Sequence, residues 1–185
     1  MMGFRHADRR FPPLWESAAQ PAARWHADMQ GPAHYFADTP DGAWADFLRH
    51  EEIVDPDDLA GIDRAMWVMV LPDDVAATPA LALTTMTGGY ETYPACQAEA
   101  ARLRASGATR LCAPSAALEP GGAAGWRVEA GLRPGPARDG TVHVLFGARP
   151  TVTGWRAGVG RPSAELCLRV RHFQVAPPRA RIPTP

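Results

Sequence analysis

Three side chains of different chemistry stand at eleven-residue intervals in one short segment, RWHADMQGPAHYFADTPDGAWADFLRH (24–50): Arg24, Tyr35 and Asp46. An arginine offers a planar fork of donors that matches phosphate or carboxylate oxygens. The face of a tyrosine ring attracts a cation. A carboxylate stabilises positive charge as it develops in a transition state. Each residue also has a plainer reading. Arg24 fits a surface pair with Asp28, Tyr35 fits a core ring with its hydroxyl at the rim, and Asp46 fits an ion pair with Arg49 or His50 along a helix.

The elements that must position these residues can be read locally. AHYFA (33–37) has the composition of a strand. Thr39 offers an N-cap oxygen, Pro40 suits the first helical position and Asp41 the first turn. Ala43, Trp44, Phe47 and Leu48 then recur at helical spacing, with Asp46 on the flank of that apolar face, where it can rim a cleft. Further along, FRHA near the N-terminus reads as a short strand and FPPLWESAAQPAA as a loop with a turn of helix. IVDPDDLAGID reads as a polar connection and RAMWVMVL (64–71) as a buried strand. The stretch from Asp73 to Thr92 is ambiguous, with a turn at Gly88–Gly89. Thr92 is placed to cap a helix that begins near Pro94 and stops at Gly107. TRLCA reads as a strand ended by Pro114, LEPGGAAGW as a loop, TVHVLF (141–146) as the clearest strand, and SAELCLRVRHF (163–173) as a last helix. This order of strands and helices predicts an α/β or α+β fold. Residues 1–175 are expected to form one domain, and 176–185, APPRARIPTP, a disordered tail.

Composition and missing motifs exclude many functions. The chain has 185 residues, 46% of them hydrophobic, and a formal charge of -1, so no global field selects a nucleic acid or an anionic membrane. All 19 positive residues are arginine, and lysine and asparagine are absent. The N-terminus has no apolar signal region and no run reaches the ~18 residues of a membrane span, so a cytoplasmic protein is expected. Cys96, Cys112 and Cys167 form no CxxC pair and are expected to be free, small buried residues. No HExxH or zinc spacing points to a metal site. GVGRPS is a lone GxG without an evident preceding strand, APSAA is not a nucleophile elbow, and there is no Walker loop.

The ordered set FRHA, ARW, HYFA, TPDGAWAD and, after a helix and glycine, APSAALEPGG resembles the RES domain family, over roughly residues 4 to 147. The family is named for arginine, glutamate and serine positions and contains NAD-degrading toxins of bacterial toxin–antitoxin systems. The resemblance places its N-terminal arginine at Arg5, its second arginine at Arg24, its tyrosine at Tyr35, its acidic residue at Asp46 and its serine at Ser115. It implies an ADP-ribosyltransferase-like fold with a mixed, split β core and flanking helices around an NAD cleft. The implied reaction is cleavage of the nicotinamide–ribose bond of NAD+, with inorganic phosphate or water as acceptor and no prosthetic group. The implied partner is a helix-turn-helix antitoxin, which would carry any DNA binding; the oligomeric state is left open.

On this reading Arg5 and Arg24 suit the pyrophosphate, Tyr35 the nicotinamide ring, and Asp46 the oxocarbenium-like ribose and its hydroxyls. Ser115 fits the carboxamide, the ribose or phosphate, and equally a plain cap or turn. One departure matters: the family has glutamate where this chain has Asp46. The shorter side chain sets the carboxylate about 1 to 1.5 Å back, and a misplacement of about 1 Å can cost ~100-fold in rate. Glu51 lies about 140° round the helix from Asp46 and is a poor substitute.

Overall fold

The computed structural model describes residues 1–14 and 20–173. In chain order it contains β1 (Met2–Asp8), β2 (Ala33–Ala37), α1 (Pro40–His50), a 3-10 turn (Pro56–Gly61), β3 (Arg64–Val70), α2 (Leu83–Thr87), a second 3-10 turn (Tyr90–Thr92) and α3 (Tyr93–Ala105). There follow β4 (Arg110–Pro114), β5 (Trp126–Val128), β6 (Leu132–Pro134), β7 (Thr141–Phe146), β8 (Gly154–Gly160) and α4 (Ala164–Cys167). Six strands form one sheet in the order β4-β7-β2-β1-β3-β8, all neighbours antiparallel, while β5 and β6 make a separate hairpin. The fold is α+β, as the order of elements predicts.

The sheet is split where the function is expected. β1 runs beside β3 through seven consecutive residue pairs, from Met2–Val70 to Asp8–Arg64. β2 runs beside β7 from Ala33–Phe146 to Ala37–Val142. Between β1 and β2 only Phe4 and Ala37 are paired. The two half-sheets therefore meet at one end and part at the other. Backbone groups that leave a ladder need other partners, and at this seam the Tyr35 carbonyl accepts instead from the Arg5 side chain, at 3.5 Å.

α1 covers the seam. Thr39 Oγ1 accepts from the Gly42 amide at 3.0 Å, Pro40 begins the helix, and Arg49 and His50 lie in its last turn, where cations complement the helix dipole. Gly42 lets the helix approach β2: a Cβ there would sit 2.9 Å from the Ala37 Cβ. One face of α1 packs Ala45, Phe47 and Leu48 against Leu59, Leu118 and Leu166. On the far half-sheet, α2 and α3 bury Met86, Cys96, Ala100 and Leu103 against Leu111, Val144 and Trp25. α3 stops where Gly107 takes a left-handed conformation (φ 92°). The three cysteines are free; Cys96 and Cys167 are buried and Cys112 is half-buried.

Four local expectations need correction. The helix expected over 163–173 is only Ala164–Cys167. The chain beyond it lies along 117–119 instead: the Glu119 amide donates to the Arg169 carbonyl at 2.9 Å and the Arg171 amide to the Ala117 carbonyl at 2.7 Å. Tertiary pairing has overridden a modest helical pattern. Thr92 stands at the start of α3 but does not cap it; its hydroxyl donates to the Gly89 carbonyl and accepts from Arg24. GVG lies inside a strand rather than after one: residues 158–160 end β8, an edge strand whose exposed, glycine-rich sequence carries no burial alternation. LEPGGAAGW is a loop except at its last residue, Trp126, which opens the exposed hairpin β5–β6. Of the loop with a turn of helix expected over 11–23, residues 15–19 lie outside the described residues, as does the tail 176–185.

Candidate active site

A cleft of about 780 Å³ opens at the seam, and all five residues singled out from the sequence line it: Arg5, Arg24, Tyr35, Asp46 and Ser115. They arrive from β1, from the turn before β2, from β2, from α1 and from the end of β4. The structure gives them unequal freedom.

Arg5 is the freer of the two predicted arginines. Its one hydrogen bond among the described residues is the long contact to the Tyr35 carbonyl. Burial lowers its pKa from the ordinary value, and the nearby Asp46 carboxylate works in the opposite direction. The side chain remains a cation with unused donors facing the cleft.

Arg24 is built into the wall. It is 6% exposed, and donates to Thr92 Oγ1 at 3.0 Å, to the Gly88 carbonyl at 2.7 Å and to the Thr85 carbonyl at 3.4 Å. Its guanidinium also stacks over the Tyr93 ring, 4.6 Å from the centroid. The surface pair with Asp28 is not made: the Asp28 carboxylate accepts from the Ala22 amide.

Tyr35 shows the cleft its ring and keeps its hydroxyl in the structure. The hydroxyl accepts from the Trp25 amide at 2.9 Å and lies 3.0 Å from His26 Nδ1. His26 Nε2 lies 2.8 Å from the Pro21 carbonyl, which can only accept, so Nε2 carries the proton and Nδ1 accepts from Tyr35. Burial raises the Tyr35 pKa and lowers that of His26, keeping both neutral. The hydroxyl is therefore fully engaged, and the ring is what a ligand would meet.

Asp46 is half exposed, at 51% of its side chain, on the flank of α1 that faces the cleft. His50, one turn on, donates from Nδ1 to the Asp46 backbone carbonyl at 2.8 Å and stands 3.6 Å from its carboxylate. Arg49 does not pair with Asp46. It is 2% exposed and fastens α1 to two loops, donating to the carbonyls of Thr87, Gly88 and Ala116. Burial, and then the charge of Arg24, hold its pKa down at about 10. The Phe173 ring packs on its outer face, 4.4 Å away. Ser115 takes the turn role: its Oγ accepts from the amides of Ala117 and Leu118 at 3.3 and 3.2 Å. Its hydroxyl hydrogen remains able to donate.

Sequence reasoning missed His6, Arg49, Arg64 and Tyr93, which also line the cleft. Position along the chain carried a weak signal for two of them. His6 follows Arg5, and Arg49 lies three residues beyond Asp46, one helical turn away. Arg64 and Tyr93 come from β3 and α3, and only the fold brings them here. With Arg5, Arg24, Arg49 and Arg64 against Asp8, Asp46 and Glu51, the lining offers an anionic ligand several cations and one well-placed carboxylate. Among the described residues no group of three or more His, Cys, Asp or Glu is arranged to hold a metal ion, and no helix is long and apolar enough to cross a membrane.

A search of curated proteins finds no match to this chain. The family model of the RES domain matches residues 3–150, the span that contains all five predicted positions and the whole seam. The chain belongs to the RES domain family.

Proposed function

We propose that the protein cleaves NAD+ at the nicotinamide–ribose bond. The observation that carries this reading is the convergence of Arg5, Tyr35 and Asp46 on one cleft at the seam of a split sheet. A volume of about 780 Å³ is on the scale of small-molecule and cofactor sites, roughly 300–1,000 Å³. In the proposed reaction the C1′–N bond breaks and nicotinamide leaves with the electron pair as a neutral ring, which needs little acid assistance. The ribose passes through an oxocarbenium-like state, which the Asp46 carboxylate stabilises. A phosphate oxygen or water then forms the new C1′–O bond; with water, one proton is released and ADP-ribose is the second product. NAD+ is thus substrate, and phosphate the candidate co-substrate.

Arg5, with its unused donors, binds the pyrophosphate. Arg24 and Arg49 contribute charge and hold the walls, Tyr35 stacks on the nicotinamide, and Ser115 donates its hydroxyl hydrogen to the ligand. In this reading the protein is the toxin of a pair whose antitoxin is a helix-turn-helix protein. The half-exposed Asp46 in place of glutamate supports one second reading, a module that binds NAD without cleaving it. Incubating the purified protein with NAD+, with and without phosphate, and measuring nicotinamide decides between them. Release supports the enzyme; saturable binding without release supports the module; neither result removes both.

A further inference from the structure

His6 sits beside Arg5 on β1 and lines the same cleft, yet nothing in the proposed reaction uses it. Its ring is held on two sides by α1. It stacks on Trp44, with ring centroids 6.2 Å apart and planes 13° from parallel, and it meets the edge of Phe47 at 5.0 Å. On a third side Arg64 Nε lies 3.1 Å from His6 Nδ1, while the Arg64 guanidinium rests over the Phe47 ring at 4.9 Å.

That contact fixes the tautomer. A guanidinium nitrogen can only donate, so Nδ1 accepts and the single ring proton of the neutral imidazole is on Nε2. Among the described residues Nε2 has no hydrogen-bond partner, and the residue lines the cleft. Burial, followed by the charges of Arg64, Arg5 and His50, holds the His6 pKa down at about 3, so the ring stays neutral between cations. A neutral donor here adds a hydrogen bond to the Arg5–Arg64 end of the cleft without adding repulsion. The acceptor it suits best is an anionic oxygen already drawn in by the two guanidiniums.

We infer that His6 is a substrate-binding residue, aligned by Arg64, whose Nε2–H donates to a phosphate oxygen of the dinucleotide. The inference rests on the NAD reading above and assigns its pyrophosphate a ligand outside the five family positions.

The test compares the wild type with His6→Phe, which keeps the ring contacts, and His6→Gln, whose amide nitrogen takes the place of Nε2. Titration calorimetry is run with ADP-ribose and with nicotinamide riboside, which has no phosphate, and thermal melting confirms folding. His6→Phe is expected to weaken ADP-ribose binding about 10- to 100-fold, the scale of a hydrogen bond to a charged group. His6→Gln should return affinity to within about threefold of wild type, and nicotinamide riboside should bind all three proteins alike, since the bond reaches phosphate. Unaltered ADP-ribose binding by His6→Phe overturns the role of His6 and leaves the NAD reading standing. So does an equal loss for both ligands, or failure of the glutamine to restore binding. A wild type that binds neither ADP-ribose nor NAD+ overturns the NAD reading and this contact with it. Nitrogen-15 NMR of the ligand-free protein gives a separate check: a protonated His6 Nδ1 at neutral pH overturns the inference without any ligand.

Discussion

Arg5 on β1 donates to the Tyr35 carbonyl on β2 across 3.5 Å, at the place where the two half-sheets separate. A side chain stands where a backbone ladder would otherwise continue, and the gap it spans is the cleft. The contact is long and part-buried, so its removal should cost little stability, within about 1 kcal/mol. Arg5→Ala is therefore expected to melt near the wild type while weakening NAD+ affinity by about 10- to 100-fold through loss of a charge-assisted phosphate contact. Calorimetric titration together with a urea midpoint checks both halves.

Arg24→Ala should behave in the opposite way. Its guanidinium joins the turn before β2 to Thr85, Gly88 and Thr92, and is almost wholly buried. Truncation removes three hydrogen bonds from this wall, although Arg49 still donates to the Gly88 carbonyl and Cys96 to that of Thr85, and it opens a void, at an expected cost of about 2–4 kcal/mol. Equilibrium urea unfolding measures it. A variant as stable as wild type would show that the wall does not depend on Arg24.

Tyr35→Phe separates the ring from its hydroxyl. The loss strands the Trp25 amide and His26 Nδ1, so stability should fall by about 1–3 kcal/mol. NAD+ affinity of the folded protein should change little, because the ring remains. A large loss of affinity at unchanged stability would mean that the hydroxyl touches the ligand.

Stability should fall as the solution is acidified below about pH 6.5, the ordinary histidine value. Burial lowers the pKa of His6 to about 3 and also lowers those of His26 and His143. Between the lowered and the ordinary value the unfolded chain binds more protons than the folded one, so protonation favours unfolding and stability rises with pH. His6→Gln removes the largest of these shifts. Its stability should decline less than that of wild type between pH 7 and pH 5 in parallel urea titrations.

The sequence was most legible where the physics is local. Thr39 and Pro40 set the start of α1, and the apolar spacing of Ala43, Phe47 and Leu48 set its buried face, so the place of Asp46 on the flank followed from helix geometry. AHYFA and TVHVLF pair with each other at the bounds read from composition. What was not legible depends on distant chain. β8 has no pattern of its own and is a strand because β3 offers it an edge. The 168–173 stretch leaves its helix because 117–119 takes its backbone. Likewise the type and order of Arg5, Arg24, Tyr35, Asp46 and Ser115 gathered them into one site, but not their freedom. That Arg24 is clamped while Arg5 is open, and that Ser115 caps a turn, depends on carbonyls and amides of other loops.

In the proposed reaction the Asp46 carboxylate drives cleavage of the glycosidic bond from its half-exposed seat on α1. The most direct measurement is the rate of nicotinamide release from NAD+ by the wild type, Asp46→Ala and Asp46→Glu. Release by the wild type, slowed at least ~100-fold in the alanine variant and equalled or exceeded in the glutamate variant, is the predicted result. An alanine variant that releases nicotinamide as fast as the wild type would contradict it.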